Sequence, residues 1–560
     1  MFIPTTQNEL EALGWDACDI ILITGDSYID SPYMGTTVIG KWLIRHGFRV
    51  GILAQPNVHD DSDITRLGEP RLFWGVSSGS VDSMVANYTA LKKRRKQDDY
   101  TPGGVNNRRP DRAVIVYSNL IRRYFKNTVP IVLGGIEASL RRMAHYDYWS
   151  NKIRRSILFD AKADLLIYGM AETTTLAVAW ALRSREEVTG IPGICYPSSS
   201  PPAGFIELPS FEQSVRDKQA FIESFRLFYD NNEPLTAKGL VQKQDSRWLV
   251  QNPPPLPLTT AELDDIHHLS YEREQHPYYE AQGGVRALDT IRFSINTHRG
   301  CYGECNFCAI AVHQGRTVQS RSPESILNEA KALTQHPKFR GIINDVGGPT
   351  ANMYGFECAR KLQQGACTNK RCLSTQMCHT LQPSHKQLIR LLQKLRHLDG
   401  VKKVFVASGI RYDLVLGDEK WGEAYLQEIV NHHVSGQLKV APEHTEPHVL
   451  RLMNKPNPDS LKQFKKRFDR LSQQAGKAQF LTYYLIAAYP GSSDADMRKL
   501  RDFVHRELEI RPEQVQIFTP TPGTWASVMY YAEMDPFTGK PLFVEKQAKG
   551  KERQKRKITG

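Results

Sequence analysis

Three cysteines, Cys301, Cys305 and Cys308, lie within eight residues in the stretch CYGECNFC. In a reducing compartment, thiols grouped this closely usually bind metal. A cubic iron–sulfur cluster has four irons and is normally held by four cysteines, so a set of three leaves one iron open to bind another molecule. The spacing alone also allows a zinc site completed by His298 or His313, or cysteines that merely pack in the interior.

A second group of thiols follows about 50 residues later. Cys358, Cys367, Cys372 and Cys378 fall within 21 residues, at spacings of nine, five and six. They form a candidate second metal site, for an auxiliary iron–sulfur cluster or a structural zinc, and the alternative is a set of free buried thiols. The total of nine cysteines is odd and modest for 560 residues, which argues against a disulfide framework.

The elements around these cysteines predict an α/β unit over residues 291–535. Apolar runs alternate with longer stretches of helical character, and six of them read as buried strands: IRFSIN, GIINDVGG, VKKVFVAS, GQLKVAP, FLTYYLIAAYP and VQIFTP. Strands separated in this way favour a parallel arrangement, here a partial (β/α)6 barrel. The cysteine run comes directly after the first strand, at the carboxyl end where barrels of this kind carry their chemistry.

The N-terminal part predicts a second α/β unit over residues 1–195. Its strand candidates are DIILIT, FRVGILA, RAVIVY, PIVLGG and ADLLIYG. Such runs, rich in Val, Ile and Leu, are typical of buried parallel strands, and helical connections between them predict a doubly wound sheet. Residues 196–290, with two proline clusters around the helix-like FEQSVRDKQAFIESFRLFY, are predicted to be a linker with a helical segment.

The composition and charge of the chain limit the class of protein and its location. With 40% hydrophobic and 24% charged residues the chain is globular. No apolar run reaches the ~18 residues that cross a bilayer, and the start lacks a secretory leader, so we expect a cytoplasmic protein without membrane contact. The net charge is +13, of which +6 lies in Phe537–Gly560. We expect residues 536–560 to be a basic, disordered tail that contributes at most weak RNA contact.

Several blocks of this sequence resemble a known family. The run CYGECNFC, with Phe307 before its third cysteine, resembles the signature of radical S-adenosylmethionine (SAM) enzymes. Together with TGDSYIDSPYMGTTVIGKW, GGIEASLRRMAHYDYW, VGGPTANMYG and ASGIRYDL, it is similar over essentially the whole chain to the YgiQ-type radical SAM proteins, a bacterial family of unassigned activity.

This resemblance implies a cofactor and a type of reaction. Cys301, Cys305 and Cys308 would hold a 4Fe-4S cluster whose open iron binds SAM. Reductive cleavage of SAM gives methionine and a 5′-deoxyadenosyl radical, which removes hydrogen from a substrate. The cofactor thus carries the difficult chemistry. A reducing electron donor such as flavodoxin or ferredoxin is implied as a partner, and no substrate is implied.

The same resemblance suggests residues that would bind SAM. Gly347 and Gly348 stand where the superfamily receives the methionine amino group, because glycine lets backbone carbonyls approach an ammonium closely. Ser408 could bond the ribose, and Arg411 could pair with the methionine carboxylate or form a surface ion pair. Glu443 lies at a later strand end, without an assigned role.

Other readings concern the N-terminal sheet and the type of activity. The sheet resembles the cobalamin-binding domain often fused to this barrel, but the histidine of its Asp-x-His-x-x-Gly pattern is replaced by Pro32 between Asp30 and Gly35, so we expect no cobalamin. One alternative is a methylthiotransferase-like enzyme that modifies tRNA or a ribosomal protein. The other is a non-catalytic, zinc-stabilised RNA-associated protein.

Overall fold

The computed structural model describes residues 1–374, 376–512 and 515–559, and it separates into two compact units. The first contains residues 1–256 and 266–292, and the second contains residues 257–265 and 293–560. Within the described ranges, no helix is both long and apolar enough to span a membrane.

The N-terminal unit is built on a nine-stranded sheet. The strands of this unit, including a separate two-stranded ribbon of β5 and β6, are β1 (Ile20–Thr24), β2 (Val50–Ala54), β3 (Phe73–Val76), β4 (Ile131–Leu133), β5 (His145–Asp147), β6 (Lys152–Arg154), β7 (Leu165–Ile167), β8 (Ile194–Ser198), β9 (Ile206–Leu208), β10 (Leu240–Gln244) and β11 (Arg247–Gln251). The helices up to the end of this unit are α1 (Gln7–Ala12), α2 (Gly35–Arg45), α3 (Ser83–Asn87), α4 (Ala113–Tyr124), α5 (Gly135–Leu140), α6 (Ile157–Asp160), α7 (Glu172–Ser184), α8 (Phe211–Arg216), α9 (Lys218–Asp230), α10 (Thr260–His267), α11 (Pro277–Glu280) and α12 (Ala287–Ile291).

The strand order is β2-β1-β3-β4-β7-β8-β11-β10-β9. The first five strands pair in parallel, so the predicted doubly wound sheet is confirmed. Its order reverses between β1 and β3, which is the switch point where such sheets usually bind ligands. The remaining strands, β8 to β11, extend the sheet mainly by antiparallel pairing. Nearly all of their residues belong to segment 196–290, which was predicted to be a linker with a helical segment. This segment instead contributes strands to the sheet.

One predicted strand is wrong. The run RAVIVY starts the helix α4, whose buried residues recur at the helical spacing of three and four: Ala113, Val114, Tyr117, Ser118, Leu120 and Ile121. Its β-branched residues suggested a strand, but the apolar positions continue with helical periodicity into SNLIRRY. The third strand of the sheet is instead Phe73–Val76, which the sequence analysis missed.

The second unit is an incomplete parallel barrel. Its strands are β12 (Ser294–Asn296), β13 (His298–Arg299), β14 (Gln319–Ser320), β15 (Ile342–Ile343), β16 (Asp345–Gly347), β17 (Lys403–Val404), β18 (Gln437–Glu443), β19 (Phe480–Ala487) and β20 (Val515–Ile517). Its helices are α13 (Ile310–His313), α14 (Pro323–Thr334), α15 (Ala359–Gln364), α16 (Lys386–Arg396), α17 (Tyr412–Gly417), α18 (Gly422–Glu428), α19 (Pro447–Met453), α20 (Pro458–Gln474), α21 (Asp494–Phe503), α22 (Trp525–Ala532) and α23 (Ala548–Thr559).

All six predicted barrel strands are present, and their pairings are parallel. The helix α14 begins at a local sequence signal, since Ser322 caps it and Pro323 occupies its first turn. The barrel core is formed by apolar side chains of the strands and of α14, α16, α18, α20 and α21.

The basic C-terminal segment differs from the disordered tail that its charge predicted. Residues 548–559 form α23, which packs against α21 and the last strands. Ile558 is buried, and the Gln554 side chain accepts a bond from the Ala488 amide (3.0 Å) and donates one to the Ser492 carbonyl (3.2 Å). Lys551 is buried too and donates to the Tyr530 hydroxyl (2.9 Å). Periodic buried positions thus outweigh the net charge of the segment.

Candidate functional site

The three cysteines lie on a loop that follows β13. The loop begins at Gly300, whose φ is +80° and where a Cβ would lie 2.1 Å from the Thr317 carbonyl oxygen, so only glycine fits. The Cys301 amide donates to the Gly315 carbonyl (3.2 Å), and the Cys308 amide donates to the Cys305 carbonyl (2.9 Å). The backbone of the loop is therefore fixed at both ends.

A residue about 150 positions away holds the middle of this loop. Asn454 adopts a left-handed conformation (φ +57°) after α19, and its side-chain amide donates to the carbonyls of Gly303 (3.0 Å), Glu304 (3.1 Å) and Leu373 (3.0 Å). Asn306, between the second and third cysteines, donates to the Leu452 carbonyl (2.7 Å). Neither asparagine was predicted from the sequence, because the partners of both side chains lie about 150 residues away in the chain.

The spacing of the sulfurs bears on the choice of metal. Among the described residues, the ligand atoms of Glu446, His448 and Asp496 all lie within 4.8 Å of one another. The sulfurs of Cys301, Cys305 and Cys308 form no such group in that part of the chain. Tetrahedral zinc–thiolate bonds of about 2.3 Å would bring sulfurs to roughly 3.8 Å from one another. Among the described residues, the three sulfurs are thus not drawn together as ligands of one zinc ion would be.

Two cations, Arg411 and Lys455, lie near the half-buried thiols. Burial raises the pKa of Cys308 to about 12, with the neighbouring thiols adding to the effect and Lys455 opposing it. The Arg411 guanidinium lies 3.7 Å from the Cys305 sulfur and is itself held by Asp413 (2.6 Å). Positive charge near a thiol favours its thiolate, which is the form that binds metal.

The turn after β16 lies beside the cysteine loop. The Thr350 hydroxyl is 3.9 Å from the Cys301 sulfur. A Cβ at Gly348 would lie 2.7 Å from the His298 ring, and one at Gly347 would lie 3.3 Å from the Cβ of Ser408. The structure thus brings together the two glycines, the serine and the first cysteine that the sequence analysis singled out.

Two acidic residues support this surface. Asp345, missed by the sequence analysis, accepts bonds from the Ala407 amide (2.7 Å) and from the Ser408 amide (3.0 Å) and hydroxyl. Glu443 ends β18 in a left-handed conformation (φ +66°), and burial raises its pKa while Lys455, 3.8 Å away, opposes that rise. Both acidic residues thus belong to barrel strands, Asp345 to β16 and Glu443 to β18.

His298, the alternative zinc ligand of the sequence analysis, packs against the turn that carries the two glycines. Its ring is buried beneath the Gly348 turn, and its Nδ1 lies 2.8 Å from the Thr297 hydroxyl. Burial lowers its pKa to about 4, so the ring is neutral at pH 7. Its role here is to support the glycine turn.

The second cysteine group lies around the same loop without forming a single-ion site among the described residues. Cys358 and Cys372 belong to a small apolar cluster that also contains Cys301 and Tyr302. The Cys378 sulfur is instead 3.0 Å from the Thr380 hydroxyl, near the surface. Cys367 is half-buried, and the four-cysteine metal site stays a prediction.

The switch point of the N-terminal sheet is filled by the chain itself. The buried Arg109 donates to the Gly25 carbonyl (2.9 Å) and pairs with Asp26, and its other nitrogen lies 3.3 Å from Asp98. The Gln55 side chain also donates to the Gly25 carbonyl (2.8 Å). Gly25 and Asp26 follow β1, and Gln55 follows β2. These groups therefore lie at the carboxyl ends of two neighbouring strands, where an open sheet usually leaves a crevice.

The segment that would carry a cobalt ligand is also occupied. Asp30 is completely buried and pairs with Lys41 at 2.8 Å. Its backbone amide donates to the Glu274 carbonyl (2.9 Å) and its carbonyl accepts from the Arg273 amide (2.8 Å). Pro32 has no side-chain donor atom for a metal. This loop is thus tied down by its own unit.

Comparison with known proteins agrees with this geometry. Residues 2–294 match the family described as Radical SAM N-terminal, and residues 295–504 match the Radical SAM superfamily. A UPF0313 protein of Fusobacterium nucleatum is 56% identical, covering 100% of this chain and 98% of the relative. The chain belongs to the UPF0313 radical SAM proteins. The predicted YgiQ-type resemblance is confirmed.

Other UPF0313 proteins are nearly as similar. The one from Thermotoga maritima is 48% identical over 100% of this chain and 98% of its own length. Membership of the radical SAM superfamily indicates an enzyme with a 4Fe-4S cluster and SAM, while the names of these relatives give no reaction.

Solved structures show the same fold. The radical SAM methyltransferase TsrM from Kitasatospora setae, with cobalamin and a [4Fe-4S] cluster bound, has a TM-score of 0.51 at 14% identity, covering 92% of this chain and 78% of that one. The cobalamin-dependent radical enzyme OxsB, with aqua-cobalamin bound, also has a TM-score of 0.51, at 12% identity, covering 94% and 57%. At such identities the likeness concerns the fold of the UPF0313 chain and not its ligands.

Proposed function

We propose that this UPF0313 protein is a radical SAM enzyme in which Cys301, Cys305 and Cys308 hold a 4Fe-4S cluster. The observation that carries the proposal is a loop with three thiols, clamped by Asn454 and lying beside the glycine turn, where the Thr350 hydroxyl is 3.9 Å from the Cys301 sulfur. Such a cluster would supply the electron that splits the sulfonium bond of SAM, and the 5′-deoxyadenosyl group so released would take a hydrogen atom from the substrate, leaving methionine and 5′-deoxyadenosine as products.

The residues around the loop have distinct proposed roles. Gly347 and Gly348 present backbone carbonyls to the methionine ammonium, since no side chain stands between. Asp345 orients the Ser408 hydroxyl toward a ribose, because it accepts bonds from both the amide and the hydroxyl of that serine. Glu443 offers a buried carboxyl group at the same end of the barrel.

The role of Arg411 differs from pairing with the methionine carboxylate. Its guanidinium is already held by Asp413 and lies against the Cys305 sulfur. We propose that Arg411 stabilises the thiolate of Cys305, because an uncompensated charge is unfavourable away from water.

We infer that the N-terminal unit does not hold cobalamin. The cobalt-ligating histidine is replaced by Pro32, the adjoining Asp30 is used in a buried ion pair, and Arg109 fills the switch point. We therefore derive no step through cobalamin, in spite of the likeness to TsrM and OxsB.

The proposal is tested by anaerobic reconstitution with iron and sulfide, followed by iron counting and a 5′-deoxyadenosine assay with dithionite as reductant. The wild-type protein should bind about four irons, and about eight if the second cysteine group also holds a cluster. Cys301→Ala should lose the iron of the first cluster and bring 5′-deoxyadenosine formation to background.

A matched control is Cys18→Ala, which removes a buried thiol of the N-terminal unit. It should keep both the iron and the SAM cleavage. Undiminished cleavage by Cys301→Ala, or zinc without iron in the wild type, would contradict the proposal. Mass spectra of bulk tRNA from a deletion strain would reveal a methylthiotransferase-like reaction.

A further inference from the structure

Five consecutive cations, Lys92–Lys96, lie in the connection between α3 and α4. We call residues 88–97 the basic arm. Such a run of like charges is commonly disordered, because its members repel one another. Here it has a fixed backbone: Tyr88 and Arg94 form an antiparallel bridge, and so do Gln97 and Val105.

Further backbone bonds hold the basic arm to its unit. The Thr89 amide donates to the Lys93 carbonyl (2.9 Å) and the Arg95 amide donates to the Asn87 carbonyl (2.7 Å). The Asn106 amide donates to the Lys96 carbonyl (3.1 Å), and its side chain donates to the Arg95 carbonyl (3.1 Å). Specific hydrogen bonds to the backbone therefore hold these charged residues in one array.

The cations themselves point largely to solvent. Residues 93–96 are exposed. Arg94 reaches the Asp111 carboxylate only at 3.7 Å, and that carboxylate also accepts a bond from the Tyr88 hydroxyl (2.6 Å). Asp98, next to the arm, is turned inward to Arg109. An ordered, exposed array of positive charge is suited to a polyanion outside the chain.

Aromatic rings accompany this array and narrow the choice of polyanion. Tyr88 and Trp149, both half-buried, have ring centroids 5.6 Å apart. Arg94 lies over the Tyr88 ring at 5.9 Å, and Lys92 lies over the neighbouring Tyr148 ring at 4.8 Å. Proteins that bind single-stranded nucleic acids combine cations for the phosphates with aromatic faces for the bases.

A second basic surface serves as a contrast. A cavity of about 540 Å³ in the barrel unit is lined by Lys402, Lys403, Arg396 and Lys477. Arg396 ends α16 and pairs with Glu428 at 3.1 Å, so it offsets the helix dipole and a carboxylate of its own unit. Lys477 donates to the Val430 carbonyl (3.2 Å), so two of these four cations are engaged within the barrel unit, whereas residues 93–96 in the basic arm are exposed.

We propose that the basic arm, together with Trp149, binds a single-stranded nucleic acid, with phosphates on the exposed cations and a base against the Tyr88 and Trp149 rings. This goes beyond the proposed function, which assigns no substrate. The binding requires no cluster and no SAM, so it can be tested separately from the radical reaction.

The test measures fluorescence anisotropy of labelled single-stranded RNA and DNA of one mixed sequence with the full-length protein over a range of salt. The tighter probe identifies the kind of nucleic acid. Arg95→Gln/Lys96→Gln should weaken binding and lower the slope of log affinity against log salt by about 1.4, at about 0.7 per phosphate contact. Trp149→Leu should weaken binding roughly tenfold without changing that slope.

The matched control is Lys402→Gln/Lys403→Gln, which removes the same charge from the other basic surface and should leave binding within about twofold, as expected when no phosphate contact is lost. Circular dichroism of each variant checks that it is folded. The proposal is overturned if neither probe binds at low salt, if the control double variant weakens binding as much as the arm variant, or if Trp149→Leu binds like wild type. Equal competition by polyglutamate would also overturn it.

Discussion

The two units of this protein differ in what lies at the ends of their parallel strands. Each ends a set of parallel strands at a position where α/β proteins usually place ligands. In the N-terminal unit that position is filled by Arg109, Asp26 and Gln55. In the barrel it carries a glycine turn and a loop of thiols. Both folds therefore offer such a position, and the two units differ in the side chains that occupy it.

The strongest way to break this comparison is to empty the filled switch point. Arg109→Met leaves the buried Asp26 and Asp98 without their cation. Removing one partner of a buried ion pair typically costs about 3–5 kcal/mol, so we expect a loss of unfolding free energy in that range. Chemical denaturation followed by circular dichroism measures it.

Arg108→Met is the control, because the neighbouring Arg108 is half-buried and donates to Gln282 at the surface. It should change stability by less than about 0.5 kcal/mol. A stable Arg109→Met protein that binds cobalamin would show that the switch point is merely plugged, and the contrast between the two units would fail.

A smaller effect is expected from loosening the loop that the barrel keeps for its cluster. Asn454→Gly preserves the left-handed backbone but removes the amide that holds Gly303 and Glu304. With about 1 kcal/mol for each hydrogen bond and buried carbonyls left unsatisfied, we expect about 2–3 kcal/mol of lost stability. Iron bound after reconstitution should fall in parallel.

Glu509→Gly provides the comparison for that change, since Glu509 has the same left-handed conformation (φ +56°) on an exposed surface. It should retain its full iron content. Normal iron content in Asn454→Gly would mean that the clamp is not needed for the cluster.

The third and smallest effect is a pH dependence of stability beneath the glycine turn. The folded pKa of His298 is about 4, lowered by burial, against about 6.5 in the unfolded chain. As pH falls below 6.5 the unfolded chain takes up the proton first, so stability is lost between pH 6.5 and pH 4. From pH 7 to pH 5 this group should account for about 2 kcal/mol.

His298→Gln should flatten the pH curve of unfolding by that amount. His145→Gln provides a counterpart in the N-terminal unit, because burial lowers the pKa of His145 to about 3. Both variants should flatten the curve similarly. An unchanged curve in His298→Gln would indicate that the ring is not kept neutral by burial.

The sequence was informative where chemistry depends on neighbours in the chain. The three-cysteine loop, the glycine turn and all six barrel strands could be predicted, because spacing and periodicity are local signals. The helix α4 was mistaken for a strand, since a short β-branched run fits either structure. Asn454 and Asp345 could not be found, because their contacts span about 150 and 60 residues and leave no local pattern.

The position of α23 has a consequence for how the protein is made. Residues 548–559 supply buried contacts to α21 and to the strands synthesised long before them. Since domains generally fold as units during synthesis, the barrel cannot complete its packing until translation has passed residue 559. The N-terminal unit is complete at residue 292 and can fold earlier. On a ribosome stalled before residue 559, the N-terminal unit would therefore be folded while the barrel still exposed apolar surface.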